Sequence, residues 1–298
     1  MKKIGYKSGF VSIIGRPNVG KSTLLNKLIG EKISIISDKA QTTRNKIQLV
    51  YTDEDCQIIF LDTPGIQMPK NELGEYMLKV SKSTLDEVDI ILVMVEAGIE
   101  FGKLDKYIFK ELENIDLPKI LLINKIDLVD KDTIMRNLKT YGELGIFQEI
   151  IPLSAENDQD FLVIISKIRD LLEEGPMYYP ADMITDQPVR LIIAEIIREK
   201  VLLNMSEEIP HGIAVQVEKI EQRSNRKLTD VYANINVEKK SHKPMIIGKS
   251  GKMIQKIGSE ARKDIEKLMD TRVNLQLWVK IAKDWRDKED AVRGFGYE

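Results

Sequence analysis

The sequence predicts an α/β domain, with a mostly parallel sheet covered by helices on both faces, followed by a smaller α+β domain. Three observations carry this. Short, nearly continuous apolar runs alternate with helix-periodic segments through the first half of the chain, the pattern of a sheet buried on both faces. Prolines and turn residues then cluster at Gly175-Pro-Met-Tyr-Tyr-Pro180 and Thr185-Asp-Gln-Pro188. Beyond them the order changes to helix, two strands, a glycine turn, a helix and a strand. The expected domains are 1–180 and 181–298.

In order, the first strand is Phe10–Gly15, which runs through a glycine motif into a helix at Ser22–Leu28. Gln48–Tyr51 suits an antiparallel edge strand. Gln57–Asp62, Asp89–Val95, Lys119–Asn124 and Ile150–Leu153 supply the remaining strands, with helices such as Gly74–Leu85 and Asp105–Leu112 between them. In the second part, Val189–Leu203 reads as a strong helix with apolar positions Ile192, Ile193, Ile196 and Ile197 and charges at Glu195, Arg198, Glu199 and Lys200. Strands follow at Gly212–Ile220 and Leu228–Glu238. A glycine turn, Gly248–Gly251, opens a helix over Lys252–Met269, and Val273–Ile281 alternates as a last strand. Trp285, Phe295 and Tyr297 in the charged tail are read as packing residues, with stacking of one of them on a base as the alternative.

Composition bounds the function. The chain has 298 residues, 43% hydrophobic and 31% charged, enough for a sizeable core. The apolar run Ile90–Val95 lies between Asp89 and Glu96, far short of the roughly 20 residues that cross a bilayer. Two N-terminal lysines followed by Phe10–Ile14 are too short for a signal peptide. The single cysteine, Cys56, forms no internal disulfide, is expected to be buried or half-buried, and suits a reducing cytosol. His211 and His242 are isolated and are read as surface residues rather than metal ligands. Net charge is −2 overall. Up to Pro180 there are 23 basic and 28 acidic residues, a net of −5; the remainder, 22 and 19, carries +3. Between Lys239 and Lys256 lie six lysines and no acid, a basic stretch suited to a polyanion.

Gly15, Arg16, Pro17, Asn18, Val19, Gly20, Lys21 and Ser22 match the pattern G-x-x-x-x-G-K-S/T between a strand and a helix. Such a loop converges backbone N–H groups on phosphate oxygens at a helix N-terminus. Lys21 is placed to reach the β- and γ-phosphates, and the Ser22 hydroxyl to ligate Mg²⁺. Asp62, Thr63, Pro64 and Gly65 follow the next strand. Asp62 suits the magnesium shell and the Gly65 N–H the γ-phosphate. Asn124, Lys125 and Asp127 follow another strand. The Asp127 carboxylate can accept from guanine N1–H and N2–H₂, which adenine lacks, so a site built for those bonds rejects ATP. Ser154 and Ala155 end a further strand, with the Ala155 N–H aimed at guanine O6. Four motifs, each at a strand's carboxyl end, make a nucleotide site.

With these motifs the chain resembles the translation-factor-related branch of small GTPases. The resemblance implies a threonine ligand for Mg²⁺ and the γ-phosphate in Lys39-Ala-Gln-Thr-Thr-Arg-Asn45, assigned to Thr43. It also implies K⁺ held at Asn18, as in the potassium-activated members. Residue 66 departs from the common pattern: Ile66 stands where many relatives carry the glutamine that orients the attacking water. Gln67 and Gln41 lie nearby in sequence without an assigned role. The catalytic set is therefore Lys21, Thr43, Gly65 and Asn18, with Ser22, Thr43 and Asp62 on Mg²⁺ and Ile66 lining the nucleotide site.

Gly248-Lys-Ser-Gly251, preceded by Ile246-Ile247 and followed by an amphipathic helix, resembles the G-x-x-G clamp of a type II KH domain. Lys243, Gly248, Lys249, Ser250, Gly251 and Lys252 are the RNA-binding candidates. The whole chain resembles the ribosome-assembly GTPases that end in a KH domain. Ala40-Gln-Thr-Thr-Arg44, Ile184-Thr-Asp186, Glu195-Ile-Ile-Arg-Glu-Lys200, Glu208-Ile-Pro-His211, Glu260-Ala-Arg-Lys-Asp264 and Leu277-Trp-Val-Lys280 carry this likeness. It implies a GTPase that binds 16S ribosomal RNA near its 3′ end and acts in assembly of the 30S subunit. It further implies a cytoplasmic monomer with peripheral contact at the inner face of the membrane. The alternative reading is a non-enzymatic RNA-binding module that only senses GTP. A tRNA-modifying GTPase lacks support, because the second part carries no cofactor motif or reactive cysteine.

Overall fold

The computed structural model describes residues 5–37, 39, 41–99, 101–157, 161–205, 209–223 and 227–297. Ala40 and Glu208, which fall within motifs quoted above, lie outside them. The chain forms two compact units. One comprises residues 1–34, 43–68 and 77–186, the other residues 35–42, 69–76 and 187–298.

The first unit is built on a six-stranded sheet. Its strands are β1 (Lys7–Gly15), β2 (Ile47–Thr52), β3 (Cys56–Asp62), β4 (Ile90–Glu96), β5 (Lys119–Asn124) and β6 (Glu149–Pro152), in spatial order β2-β3-β1-β4-β5-β6. Only β2 is antiparallel, pairing Ile47 with Asp62 and Thr52 with Gln57. Every residue of β3 and β5 is buried, so β-branched and leucine side chains pack on both faces. The helices are α1 (Lys21–Ile29), α2 (Glu72–Ser83), α3 (Lys103–Glu113), α4 (Lys131–Gly142) and α5 (Leu162–Leu171). Ile14, Leu61, Val93, Ile108, Phe109 and Ile123 share one apolar cluster that also takes in Ile66. Cys56 is buried.

The proline-rich segment is tied to the first unit. Gln57 is fully buried and its amide is fully used. Its Oε1 accepts from the Tyr178 and Tyr179 N–H groups at 2.7 and 2.9 Å, while Nε2 donates to the Tyr179 carbonyl and to Thr52 Oγ1 at 2.9 and 3.0 Å. On the free side of β2, the Val50 N–H donates to the Ile184 carbonyl at 2.7 Å. There too the Thr185 hydroxyl donates to the Gln48 carbonyl at 2.5 Å. These bonds explain why the first unit runs to Asp186.

The second unit contains α6 (Val189–Asn204), β7 (Ile213–Gln222), β8 (Leu228–Val237), α7 (His242–Ile247), α8 (Lys252–Met269), β9 (Arg272–Ile281) and α9 (Glu289–Gly294). β8 is central, antiparallel to β7 and parallel to β9. Apolar positions at helical spacing, Ile193, Ile197 and Val201 in α6 and Ile257, Ala261 and Ile265 in α8, are buried, and both helices pack on the sheet. The tail aromatics do pack. The buried Trp285 donates its indole N–H to the Gly212 carbonyl at 3.1 Å, stacks on Tyr297 and meets Phe295 edge-on. His242 is a correction to the surface reading: it lies buried at the start of α7. Burial, with Lys239 nearby, holds its imidazole below the ordinary value.

Candidate nucleotide and RNA sites

The carboxyl ends of β1, β3 and β5 meet at one edge of the first sheet, and the sequence motifs sit on the loops that leave them. The loop from Gly15 to Gly20 closes tightly. Asn18 adopts a left-handed conformation (φ 66°), as does Gly20 (φ 105°) at the start of α1. A Cβ on Gly20 would lie 2.2 Å from Asn124 Nδ2, so only glycine lets the guanine-side loop approach the phosphate loop. Helix α1 has no side-chain cap, which leaves its first N–H groups for a ligand.

Lys21 is buried and its ammonium donates to the Arg16 carbonyl at 3.2 Å. Burial lowers its pKa to about 8, opposed by the charge of Asp62. The same burial raises the carboxyl of Asp62, opposed first by Lys21. Ser22, Thr43 and Asp62 come together. The Ser22 hydroxyl donates to Asp62 Oδ2 at 2.8 Å and lies 3.0 Å from Thr43 Oγ1. Asp62 Oδ1 is buried with no hydrogen-bond partner among the described residues. An orphaned carboxylate oxygen beside two hydroxyls is an all-oxygen donor set, which suits a hard cation such as Mg²⁺.

Thr63 is buried and donates to the Ile13 carbonyl at 2.8 Å, fastening the loop that carries Pro64 and Gly65 to β1. The Ile66 N–H donates to the Gly15 carbonyl at 3.0 Å while its side chain enters the core cluster. Its apolar side chain is used for packing and cannot orient water. Asn124 is buried and bridges two loops: Nδ2 donates to the Val19 carbonyl and Oδ1 accepts from the Ala155 N–H, both at 2.7 Å. The Ala155 N–H is thus held by Asn124 rather than pointing free toward a base. Lys125 has φ 62° and pairs with Glu96 at 2.7 Å, and Asp127 is exposed. Ser154 is buried next to them. Sequence reasoning missed the anchor of the phosphate loop. Arg16 pairs at 3.2 Å with Asp105, a buried residue whose carboxylate also caps α3. The capping position of Asp105, three residues after Gly102, was the available signal.

In the second unit, Gly248 (φ 73°), Ser250 (φ 52°) and Gly251 (φ 78°) make the turn between α7 and α8. A Cβ on Gly248 would come within 2.6 Å of Met253 Cβ, whereas one on Gly251 would meet nothing within 4 Å. Lys249, Ser250 and Lys252 are exposed, and Lys243 is half-buried. Helix α8 begins at Gly251 without a side-chain cap, so its N–H groups face the open side of the turn.

Residues 10–125 match the family described as 50S ribosome-binding GTPase, and residues 208–286 match the KH domain family. The chain is 53% identical to the GTPase Era of Alkaliphilus metalliredigens, over 99% of this chain and 100% of that one. It is 52% identical to the GTPase Era of Clostridioides difficile, over 98% and 99%. A crystal structure of Era in complex with MgGDPNP and nucleotides 1506–1542 of 16S ribosomal RNA superposes with a TM-score of 0.95 at 40% identity, covering 98% of this chain and 99% of that one. A variant of Aquifex aeolicus Era bound to GDP and AlF₄⁻ gives 0.92 at the same identity and coverage. Identity of this size across both units, rather than across the phosphate loop alone, separates common descent from a shared motif: the chain belongs to the Era family of GTPases.

Proposed function

We propose that this GTPase is a GTP-hydrolysing switch that binds 16S ribosomal RNA near its 3′ end and acts in assembly of the 30S subunit. The single observation that carries the nucleotide half is the Ser22–Thr43–Asp62 cluster with its orphaned carboxylate oxygen. The RNA half is supported by the relative solved with a 16S fragment and by the lysine-flanked turn at the start of α8.

Ser22, Thr43 and Asp62 are the residues that would hold Mg²⁺, which when bound neutralises charge on the β- and γ-phosphates. Lys21, released from the Arg16 carbonyl, reaches the same oxygens. Backbone N–H groups of Val19, Gly20 and Gly65 orient the phosphates, with Arg16 and Pro17 shaping the loop. Asp127 reads the base, with Lys125, Ser154 and Ala155 forming its walls. Asn18 would hold K⁺, which would supply positive charge of the kind an arginine finger gives, and Ile66 leaves the water to be oriented by backbone groups. On the RNA side Gly248 and Gly251 admit the phosphate backbone, and Lys243, Lys249 and Lys252 attract it, with Ser250 at the tip. The same reading has the protein act in the cytoplasm as a monomer with peripheral contact at the inner face of the membrane. Among the described residues no helix is long and apolar enough to cross it.

The test is GTP turnover by the purified chain, with and without a 16S 3′-end fragment. Turnover that ATP does not compete away, that Ser22→Ala lowers by about 100-fold, and that accompanies RNA binding is the expected result. RNA binding with no turnover in any condition would favour the GTP-sensing module instead.

A further inference from the structure

Helix α6 carries two adjacent charged residues that are almost wholly buried, Arg198 and Glu199. Burying such groups is costly unless each is paired. Each has a side-chain partner on α6 itself, Glu195 for Arg198 and Lys200 for Glu199 at 2.8 Å, and each also holds backbone atoms of residues 35–42, which belong to the same compact unit. The Arg198 guanidinium donates from Nε and Nη2 to Glu195 at 3.0 and 2.6 Å. Its Nη1 donates to the Gln41 carbonyl at 3.3 Å, and Nη2 also to the Thr42 carbonyl. Glu199 Oε1 accepts from the Ile36 N–H at 3.0 Å. The segment is thus held at both ends through its main chain. Gln41 has φ 62°, and its side-chain oxygen is buried without a partner among the described residues. A non-glycine residue keeps such a conformation only where its surroundings impose it.

We propose that Arg198 is a positioning residue for GTP hydrolysis: by holding the Gln41 and Thr42 carbonyls, it sets where Thr43 enters the cation site. The step from one to the other is covalent. The Thr42 carbonyl and the Thr43 nitrogen share one planar peptide unit, so fixing the oxygen fixes the plane from which Thr43 departs. Arginine suits the task because its fork grips Glu195 and two carbonyls at once, which a lysine ammonium cannot reproduce. This rests on the reading of Thr43 as a ligand of Mg²⁺ and the γ-phosphate. Because a ligand shifts only a state for which it has differential affinity, the γ-phosphate should tighten the Arg198 and Glu199 contacts and GDP should not.

The experiment compares wild type, Arg198→Lys and Thr43→Ala for kcat, for affinity toward GDP and a non-hydrolysable GTP analogue with Mg²⁺, and for melting temperature. Arg198→Lys is expected to lower kcat by about tenfold or more and to erode the preference for the analogue over GDP. Its GDP affinity should stay within about twofold, since GDP lacks the group that Thr43 meets. A folded Arg198→Lys protein with wild-type kcat and analogue preference overturns the inference. If Thr43→Ala also leaves Mg²⁺-dependent analogue binding intact, the reading of Thr43 itself has failed; if only Thr43→Ala is impaired, the inference alone has. A second measurement needs no variant: amide exchange at Ile36 in the wild-type protein. Slower exchange with the analogue than with GDP supports the inference, and equal rates in the two states overturn it.

Discussion

Two residues three positions apart divide the labour of base recognition. Asn124 is buried and fully committed to protein partners, whereas Asp127 stays exposed where a base can reach it. Asp127→Asn replaces an acceptor by an amide that can donate, so preference should move toward xanthine nucleotides. Competition binding checks this: GTP affinity should fall by about 100-fold or more and XTP affinity should rise. Unaltered GTP affinity would assign base recognition elsewhere. At Asn18, turnover should be higher in KCl than in NaCl at equal ionic strength, and Asn18→Ala should abolish the difference; equal rates in both salts for wild type would remove potassium from the site. Residues of this kind were legible in the sequence because a motif fixes both their type and their place on a strand end. Arg198 was legible only as one charge on a predicted helix. Besides Glu195, its partners are carbonyls 156 and 157 residues earlier, and carbonyls leave no mark on amino-acid type. His242 was misread for a related reason: an isolated polar residue carries no periodicity, and only tertiary packing buries it.

At the level of elements, strands were read to within about three residues because β-rich apolar runs are bounded by charges or turns. Helices α4 and α5 were passed over, and the structure gives the cause. Helix α4 buries only Tyr141 among its twelve residues, so it has little apolar stripe to detect. Helix α5 opens with Leu162 and Val163 exposed, 64% and 60%, which blurs its amphipathic period. The turn into α8 separates two effects that its glycines combine. Gly248→Ala forces a Cβ against Met253 and should destabilise the second unit by about 1–3 kcal/mol, read by urea unfolding. Gly251→Asp has open space around it and costs mainly backbone strain, yet sets a carboxylate at the N-terminus of α8 where RNA phosphate is proposed to lie. It should weaken RNA binding by about tenfold or more while shifting the unfolding midpoint little. Unchanged RNA affinity in that variant would place the RNA elsewhere.

Taken whole, the molecule has a division that does not follow the order of the chain. Residues 35–42 and 69–76 are grouped with the C-terminal unit although each lies between nucleotide motifs. A simple linker boundary was all that composition offered, since prolines mark an interruption without saying what the interrupted chain packs on. The switch proposed above must obey reciprocity: if GTP raises RNA affinity by some factor, RNA must raise GTP affinity equally. RNA affinity measured with a GTP analogue, with GDP and without nucleotide should therefore differ, by about 5–150-fold for ordinary coupling. One affinity in all three states would make the units independent. The strap formed by Tyr178–Thr185 has a consequence of another kind, in the order of synthesis. The outer edge of β2 is made early, but the carbonyl of Ile184 that covers Val50 is 134 residues further on. At roughly 5–20 residues per second, a nascent chain carries that bare edge for on the order of ten seconds. An uncovered strand edge is a template for pairing with another chain, so the growing polypeptide is exposed to misassembly until the ribosome has delivered the segment that seals it.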